Sequence, residues 1–373
     1  MFLVPKLTAG GVGQVTKSLC TEYKQQSHNV TVLSLTSRKD SDHAMEKHYT
    51  SIGVVVKHLP FKNTGMLAFI GSFFLLLNYF MKHREPELII IPAIFNAIVA
   101  IPAAKITLSK SAIIVNAHTA VSQYLDTQRA IKRMIFAAGR IILPLADVVA
   151  NDSKGASNDL KQRLSLKDVT TLYNPCCTEA DITYSAASSK APHVWLQDSK
   201  LTVLLGCGRF VESKNFGFMI EVFNELYKNN NNLRLILLGG GEEEEQLRDI
   251  VKQRNLGEVV SFEGYVSNVK EYMYHSQYFW LTSKFEGFSI VLAEALSMGT
   301  PCIANNCPHG PREVLDNGKY GLLISGYDVH KNAVKINEYI NTQAEDKAFY
   351  RSRAQAFSSE RMAGEYLKSV GLE

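Results

Sequence analysis

Short apolar runs alternate with helical segments along the whole chain, and this alternation restricts the fold more than any other feature. In the first half, strand-like runs occupy 30–35, 88–91, 113–115 and 148–150. The pattern restarts in the second half, at 202–205, 234–238, 259–262, 279–281 and 301–304. Strands that alternate with helices form parallel sheets covered by helices. Two such series within 373 residues predict an α/β protein with two doubly wound, Rossmann-like domains facing a cleft.

The predicted domain boundary lies in a stretch without sustained periodicity. We expect an N-terminal Rossmann-like domain over 1–175, an interdomain linker over 176–200 and a C-terminal Rossmann-like domain over 201–345. The last segment, 346–373, is helical in pattern. We therefore expect a C-terminal helix, and its composition does not decide whether this helix crosses back to pack on the N-terminal domain.

Charge is distributed unequally between the two halves. Residues 1–175 carry 20 Lys and Arg against 11 Asp and Glu, and the remainder carries 20 against 25. A basic half indicates an anionic partner, such as a phosphorylated substrate or an anionic membrane surface. The lysines are scattered without a recognition motif, which argues against nucleic acid. Six cysteines without metal-ligand spacing and the lack of a cleavable signal pattern indicate reduced thiols and a cytoplasmic location.

One helix-forming segment, 66–81, is apolar almost all round. It is shorter than the roughly 20 residues that span a bilayer. Two interpretations remain: a buried helix of the N-terminal domain, or a helix that lies on the cytoplasmic membrane face.

A glycine loop, Gly10-Gly11-Val12-Gly13, follows a short apolar strand and opens an amphipathic helix. Backbone amides at such a helix start can face a phosphate. The order of glycines required for a dinucleotide site is absent, and no acidic residue ends the second strand. A tight turn that simply needs glycine is the alternative.

Two cations follow the first strand of the second half, in the segment Gly208-Arg209-Phe210-Val211-Glu212-Ser213-Lys214. Arg209 offers a planar fork of donors and Lys214 a compact charge. Together they suit a diphosphate leaving group whose negative charge grows during reaction.

Two carboxylates bracket a predicted helix start further along the chain. Glu286 lies in the loop before the helix, and Glu294 lies inside it. The amides of Phe288, Ser289 and Ile290 fall at the helix N-terminus, where the helix dipole favours a phosphate. A carboxylate, free amides and a second carboxylate, in this order, suit a sugar, a phosphate and a ribose.

These motifs make the second half of the chain resemble the retaining family 4 glycosyltransferases of the GT-B fold. The resemblance rests on Glu286 and Glu294 with seven residues between them, and on Gly208-Arg209 with Lys214-Asn215. It also rests on Phe262-Glu263-Gly264-Tyr265-Val266 and Gly310-Pro311-Arg312-Glu313-Val314. The region 200–325 matches closely, and the N-terminal glycine loop matches more loosely.

The resemblance implies a role for each matching residue. Arg209 and Lys214 would hold the donor diphosphate, Glu294 the ribose, and the backbone at Tyr265 and Val266 the base. Glu286, with the amides of Phe288, Ser289 and Ile290, would hold the donor sugar. Gly11 and Gly13 would approach the phosphate and the acceptor. His118 matches a position near the sugar, where a catalytic and a structural role remain open.

The expected activity is a retaining, metal-independent transfer of a hexose or N-acetylhexosamine from a nucleotide sugar, with UDP favoured. Glu286, Arg209, Lys214 and His118 are the expected catalytic residues. The resemblance favours a polyprenyl-diphosphate-linked glycan acceptor, as in lipopolysaccharide synthesis, and peripheral contact with the inner membrane face. Asp40-Ser41-Asp42 has a metal-binding form but reads as a solvated loop. The alternatives are a sugar-nucleotide epimerase or hydrolase of the same fold, and a non-catalytic nucleotide-sugar-binding protein.

Overall fold

The chain divides into two units, each with its own parallel sheet, in a computed structural model. The first unit contains Met1–Pro175 and Ser359–Glu373, and the second contains Cys176–Ser358. The structure describes residues 1–59, 66–83, 86–118, 121–122, 130–185, 190–342 and 346–372, with only the backbone described at 66–70 and 130–133.

The described part of the first unit has a parallel sheet with strand order β3-β2-β1-β4-β5-β6-β7. This order reverses between β1 and β4, as in doubly wound nucleotide-binding folds. Its strands are β1 Phe2–Val4, β2 Thr31–Ser34, β3 Val55–His58, β4 Leu88–Ile91, β5 Ala112–Asn116, β6 Val148–Asn151 and β7 Thr170–Thr171. The longer helices are Gly11–Gln25, His43–Ser51, Met66–Lys82, Ile94–Ile106, Ala130–Ile142, Lys154–Leu164 and Ser359–Lys368.

The described part of the second unit repeats this plan with the order β10-β9-β8-β11-β12-β13. Its strands are β8 Thr202–Cys207, β9 Leu233–Leu238, β10 Val260–Gly264, β11 Tyr278–Leu281, β12 Cys302–Asn305 and β13 Gly321–Ile324. Its helices include Glu179–Ile182, Phe216–Asn229, Glu244–Gln253, Val269–His275, Ile290–Ser297, Pro311–Val314, Val329–Thr342 and Lys347–Ala354. The predicted fold class, with two doubly wound Rossmann-like domains, is confirmed.

Burial explains why the apolar runs form these strands. Every residue of β4 is buried, and so is every residue of β11. Strands covered on both faces read as continuous apolar runs, which is the pattern that the sequence shows. The runs predicted from sequence all overlap strands of the structure, whereas β3, β7 and β13 were not predicted.

The segment 176–200, expected as a linker, lies within the second unit. It contains the short helix Glu179–Ile182, capped by Thr178, and the 3₁₀ turn Val194–Gln197. Asp181 forms an ion pair of 2.6 Å with Lys270, which ties this helix to the rest of the unit.

The expectation of one C-terminal helix over 346–373 is wrong. Lys347–Ala354 belongs to the second unit and Ser359–Lys368 to the first, and a 3₁₀ turn joins them. Ser358 has an extended backbone, with ψ at 149°, which interrupts the helical path. Its neighbour Phe357 is buried and packs edge-on against Phe288, with ring centroids 5.0 Å apart.

The helix Ser359–Lys368 is anchored in the first unit by buried hydrogen bonds. The Tyr366 hydroxyl accepts from the Asn116 side chain, and the Tyr23 hydroxyl donates to Ala363 O over 3.1 Å. We expect Tyr366→Phe to lower the free energy of unfolding by about 1–2 kcal/mol, because the buried Asn116 amide loses one of its two acceptors and keeps only Leu172 O. Urea denaturation measures this change. Tyr79→Phe, at a half-buried tyrosine whose hydroxyl has no recorded hydrogen bond among the described residues, is the control and should cost less than about 0.5 kcal/mol.

The apolar helix Met66–Lys82 is buried on one side only. Leu76 and Phe80 are buried in the core of the first unit, whereas Phe74 and Met81 are exposed. The buried side agrees with a helix of the N-terminal domain, whereas contact of the exposed side with a membrane stays a prediction. Among the described residues, none of the helices has both the length and the apolar character needed to cross a membrane.

Candidate active site

The two motif loops of the second unit follow adjacent strands, β8 and β11, and meet at their carboxyl ends. Lys214 Nζ lies 2.6 Å from Glu286 Oε1, and both side chains are largely buried. The Ser283 hydroxyl donates to the same carboxylate oxygen over 2.5 Å. Ser283 itself is fully buried. The Glu286 carboxylate is therefore fixed by one cation and one hydroxyl.

Backbone hydrogen bonds hold these two loops together. The buried Thr282 hydroxyl donates to the carbonyl oxygens of Lys214 and Asn215, over 3.0 and 3.1 Å. The Lys284 amide donates to Ser213 O over 2.8 Å. A more exposed ion pair, Lys284 with Glu212, adds a further contact at 2.8 Å. The position of the Lys214 ammonium thus depends on the backbone of both loops.

Arg209 lies in the same loop region but differs from Lys214 in its surroundings. Its side chain is exposed, and no ion pair to it is recorded among the described residues. Within the described residues this loop therefore holds one paired ammonium and one guanidinium whose charge is available for an anion.

The helix Ile290–Ser297 begins beside Glu286, as predicted. Ser289 precedes it with a left-handed backbone, φ 72°, and Phe288 is buried. The Ser289 hydroxyl is buried and has no hydrogen-bond partner in the described part of the chain. Gly310 packs against this turn, where an added Cβ would lie 2.7 Å from Phe288 O. Close backbone packing therefore fixes the helix start at which an anion is favoured.

Glu294 lies on this helix with its carboxyl group in a desolvated position. Burial raises the pKa of Glu294; the nearby Lys270 opposes this shift, and Asp181 reinforces it. A carboxylate that is costly to ionise without a ligand can gain from hydrogen-bond donors such as ribose hydroxyls.

A glycine turn and an aromatic ring lie at the ends of β9 and β10. The exposed Tyr265 donates its hydroxyl to Gly240 O over 3.0 Å. Gly241 cannot carry a side chain in this backbone, because a Cβ would lie 2.4 Å from Phe210 O. Val266 is half-buried next to this turn. The ring of Tyr265 therefore covers the glycine turn at the edge of the predicted base site.

The predicted residues of the first unit lie at the carboxyl ends of its strands. The helix Gly11–Gln25 starts at the glycine loop, and a Cβ on Gly13 would lie 1.8 Å from Thr8 O. His118 has a left-handed backbone, φ 49°, and its Nδ1 lies 3.8 Å from Asp152 Oδ2. Asp42 of the DxD-like segment caps the helix His43–Ser51, which makes it a structural residue.

Comparison with known families accounts for these motifs. A model described as Glycosyltransferase Family 4 matches residues 9–180, and one described as Glycosyl transferases group 1 matches residues 189–356. The two matches cover both units. The chain belongs to the family 4 glycosyltransferases.

Relatives of this glycosyltransferase include enzymes of bacterial glycan synthesis. It is 29% identical to the Campylobacter jejuni N-acetylgalactosamine-N,N'-diacetylbacillosaminyl-diphospho-undecaprenol 4-alpha-N-acetylgalactosaminyltransferase over 61% of this chain and 61% of that enzyme. It is 25% identical to the amylovoran biosynthesis glycosyltransferase AmsD of Erwinia amylovora, over 93% of this chain and 91% of AmsD.

Solved structures show the same fold over the full length of this glycosyltransferase. HepE of Anabaena, in complex with UDP, has a TM-score of 0.82 at 17% identity and covers 99% of this chain and 98% of its own. The lipopolysaccharide outer core galactosyltransferase WaaB in its apo form has a TM-score of 0.75 at 18% identity, with 99% and 98% coverage. The GT-B fold implied by the motifs is confirmed.

Three residues of this site in the glycosyltransferase were not predicted from sequence. Thr282 and Ser283 are short hydroxyl side chains between a strand and the motif, and nothing in their spacing marks them. Lys270 lies in a short helix far along the chain from Asp181 and Glu294. The available signal for Thr282 and Ser283 was that two hydroxyl side chains directly follow a buried strand.

We expect Glu294→Gln to stabilise the ligand-free glycosyltransferase while weakening UDP binding. The raised pKa means that the folded state binds the Glu294 proton more tightly than the unfolded state. Stability therefore falls as pH rises from the ordinary carboxyl range through the raised pKa, and glutamine removes this loss. At pH 7 the melting temperature should rise by roughly 2–4 °C, and UDP affinity should fall roughly 10- to 100-fold. Thermal melts from pH 4 to 8 and UDP titration test both parts; a lower melting temperature at pH 7 would contradict the account.

Proposed function

We propose that the chain transfers a hexose or N-acetylhexosamine from a UDP-sugar to a lipid-linked glycan acceptor, with retention of configuration and without a metal. The observation that carries the proposal is the fixed pair of Lys214 and Glu286 beside the start of the helix Ile290–Ser297. This places a cation, a carboxylate and a helix N-terminus within one small region of the second unit.

The chemistry follows from what each group can stabilise. Negative charge grows on the diphosphate as the glycosidic bond breaks, and Lys214, Arg209 and the helix N-terminus stabilise it. Glu286 positions the sugar or stabilises positive charge at its anomeric carbon. A departing phosphate oxygen accepts the proton of the acceptor hydroxyl on the same face of the sugar. Arrival of the diphosphate gives Lys214 a second anion, so donor binding does not leave either Lys214 or Glu286 unpaired.

UDP is favoured as the carrier because fold neighbours were solved with it. HepE was solved with UDP and with UDP-glucose. In this chain, Glu294 would accept from the ribose hydroxyls, and the turn under Tyr265 would face the base. In this proposal Arg209 and Lys214 neutralise the diphosphate, so that no metal ion is needed for donor binding.

The lipid-linked acceptor is supported by charge and by one relative. The Campylobacter jejuni relative is named for a diphospho-undecaprenol acceptor. The first half of this chain has the excess of Lys and Arg that an anionic lipid carrier would require. The acceptor would bind the first unit, near Gly11, Gly13 and His118.

Transfer is tested by the product rather than by donor consumption alone. The purified protein is incubated in EDTA with a panel of UDP-sugars and a short prenyl-diphosphate glycan. We expect one donor to yield a product whose anomeric proton coupling shows the configuration of the donor. An inverted product would contradict retention, and dependence on added metal would contradict the metal-free site. UDP release without any glycoside would identify a hydrolase, and binding without turnover a binding protein.

A peripheral membrane position is proposed from exposed apolar residues of the first unit. Phe74 and Met81 project from one helix and Ile141 from another, and the exposed Lys82 and Arg140 lie beside them in sequence. Apolar side chains next to cations suit the surface of an anionic bilayer.

We expect the wild-type protein to float with vesicles containing phosphatidylglycerol and not with phosphatidylcholine alone. Phe74→Asp should reduce the bound fraction at least about fivefold, because one large apolar contact is replaced by a repelled charge. Val334→Asp, at an exposed valine of the second unit, is the matched control and should float like wild type. Equal flotation of the two variants would contradict this surface.

A further inference from the structure

A cluster of buried polar side chains lies at the carboxyl ends of β5 and β6 in the first unit. Asn116, Asn151, Asp152 and Asn174 are all nearly inaccessible to solvent. In the sheet, Asn116 pairs with Ala150. His118 and Asp152 each lie two residues beyond this pair, so the sheet register itself brings the imidazole and the carboxylate together.

The buried Asp152 carboxylate has few hydrogen-bond donors around it. Its Oδ2 accepts one hydrogen bond from Asn174 Nδ2, at 3.3 Å, and lies 3.8 Å from His118 Nδ1. Its Oδ1 has no hydrogen-bond partner among the residues that the structure describes. A buried carboxylate oxygen without a partner costs stability. An asparagine at this position accepts the Asn174 hydrogen bond through Oδ1 and buries a neutral amide, with one unpaired NH2 group, in place of a carboxylate with one unpaired oxygen.

His118 has a buried side chain and an uncommon backbone conformation. Its side chain is only 5% exposed, and its backbone is left-handed at φ 49°, which is uncommon for a residue other than glycine. The Nδ1 atom is the ring nitrogen that faces the carboxylate. A carboxylate beside Nδ1 favours the tautomer with hydrogen on Nδ1 and leaves the Nε2 lone pair as an acceptor.

We propose that Asp152 is a positioning residue that sets the tautomer and orientation of His118. The proposal rests on the proposed transfer reaction and adds to it that the Nε2 lone pair of His118 accepts a hydrogen bond from the bound substrate. Asp152 does not touch the substrate in this account. Its role is to hold the imidazole as a hydrogen-bond acceptor, and burial of its unpaired Oδ1 is unfavourable for stability.

The kinetic test is a double-mutant cycle with His118→Ala, Asp152→Asn and the double variant. The probe is UDP release from the UDP-sugar that wild type turns over fastest, with kcat and KM measured separately. We expect Asp152→Asn to lower kcat about 10- to 100-fold, by analogy with the loss caused by removing a partner that orients a metal-bound imidazole. KM should change less than about threefold, and the double variant should be no slower than His118→Ala.

Controls separate positioning from a structural role. Asp168→Asn neutralises an exposed carboxylate of the same unit and should retain wild-type kcat. Asp152→Asn should melt no lower than wild type, because it removes a poorly compensated buried charge. Additive losses in the double variant, or Asp152→Asn activity equal to that of Asp168→Asn, would overturn the proposal.

A spectroscopic readout keeps the proposal testable without turnover. Selective ¹⁵N-histidine labelling reports which ring nitrogen of His118 carries hydrogen, with His118→Ala identifying the signal. We expect the Nδ1–H form in wild type and a mixture of tautomers in Asp152→Asn. The same tautomer pattern in both proteins would overturn the positioning role. Failure of wild type to bind or turn over any nucleotide sugar would instead overturn the proposed function.

Discussion

Replacement of Lys214 by alanine is expected to lower kcat/KM for the nucleotide sugar about 100- to 1,000-fold, the loss typical of removing one group that stabilises developing negative charge. Lys214 Nζ is fixed 2.6 Å from Glu286 Oε1, and the Thr282 hydroxyl holds the carbonyl of the same lysine. A fixed, partly desolvated ammonium interacts more strongly with a phosphate than a mobile surface lysine does. Initial rates of UDP release measure the loss, and UDP affinity should fall with them.

Lys284→Ala is the matched control for this variant. Lys284 lies in the facing loop and pairs with Glu212, whose side chain is 82% exposed. Exposed ion pairs contribute little, so the expected change in kcat/KM is less than about threefold. Circular dichroism establishes that both variants fold. Equal losses in the two variants would contradict a specific role for the Lys214 ammonium.

Replacement of Glu286 by glutamine is expected to separate binding from turnover. Glutamine keeps the size of the side chain but removes the charge that neutralises Lys214 in the ligand-free protein. Lys214 is then fully available to the diphosphate, so UDP affinity should stay unchanged or rise. The loss of carboxylate charge at the sugar should lower kcat about 100- to 1,000-fold. UDP titration and initial rates, measured on the same preparation, test the two halves of this prediction.

Glu212→Gln is the matched control for Glu286→Gln, because Glu212 also pairs with a lysine of these loops, Lys284. Because Glu212 is exposed, we expect wild-type kcat within about twofold. A Glu286→Gln protein with weakened UDP binding and unchanged kcat would contradict the assignment of Glu286 to the sugar. It would show instead that the carboxylate serves mainly to place Lys214.

The apolar runs made the two sheets predictable because their central strands are buried on both faces. Leu88–Ile91 and Tyr278–Leu281 are apolar at every position and buried at every position. The strand Val55–His58 was missed because it is only partly buried and ends in Lys57 and His58. Thr170–Thr171 is too short to leave a pattern. These two strands at the edges of the first sheet lack the signal that burial imposes on its central strands.

The site motifs were predictable, whereas the contacts between them were not. Lys214 and Glu286 are 72 residues apart and meet because β8 and β11 are neighbours in the sheet. The Ser283 hydroxyl that fixes Glu286 depends on the path of one loop. In the same way, the predicted C-terminal helix is divided after Ala354 by a 3₁₀ turn and one extended residue, Ser358, which a helical pattern does not reveal. Local sequence encodes the loops, and strand order decides which loops meet.

Binding of nucleotides to the second unit tests the central claim most directly. Thermal stabilisation is measured for wild type and Lys214→Ala with UDP, GDP, ADP and UDP-sugars, each with and without EDTA. The account predicts a rise with UDP species that is the same in EDTA and is lost in Lys214→Ala. No rise from any nucleoside diphosphate, in protein shown to be folded, would contradict the donor site and the transferase function built on it.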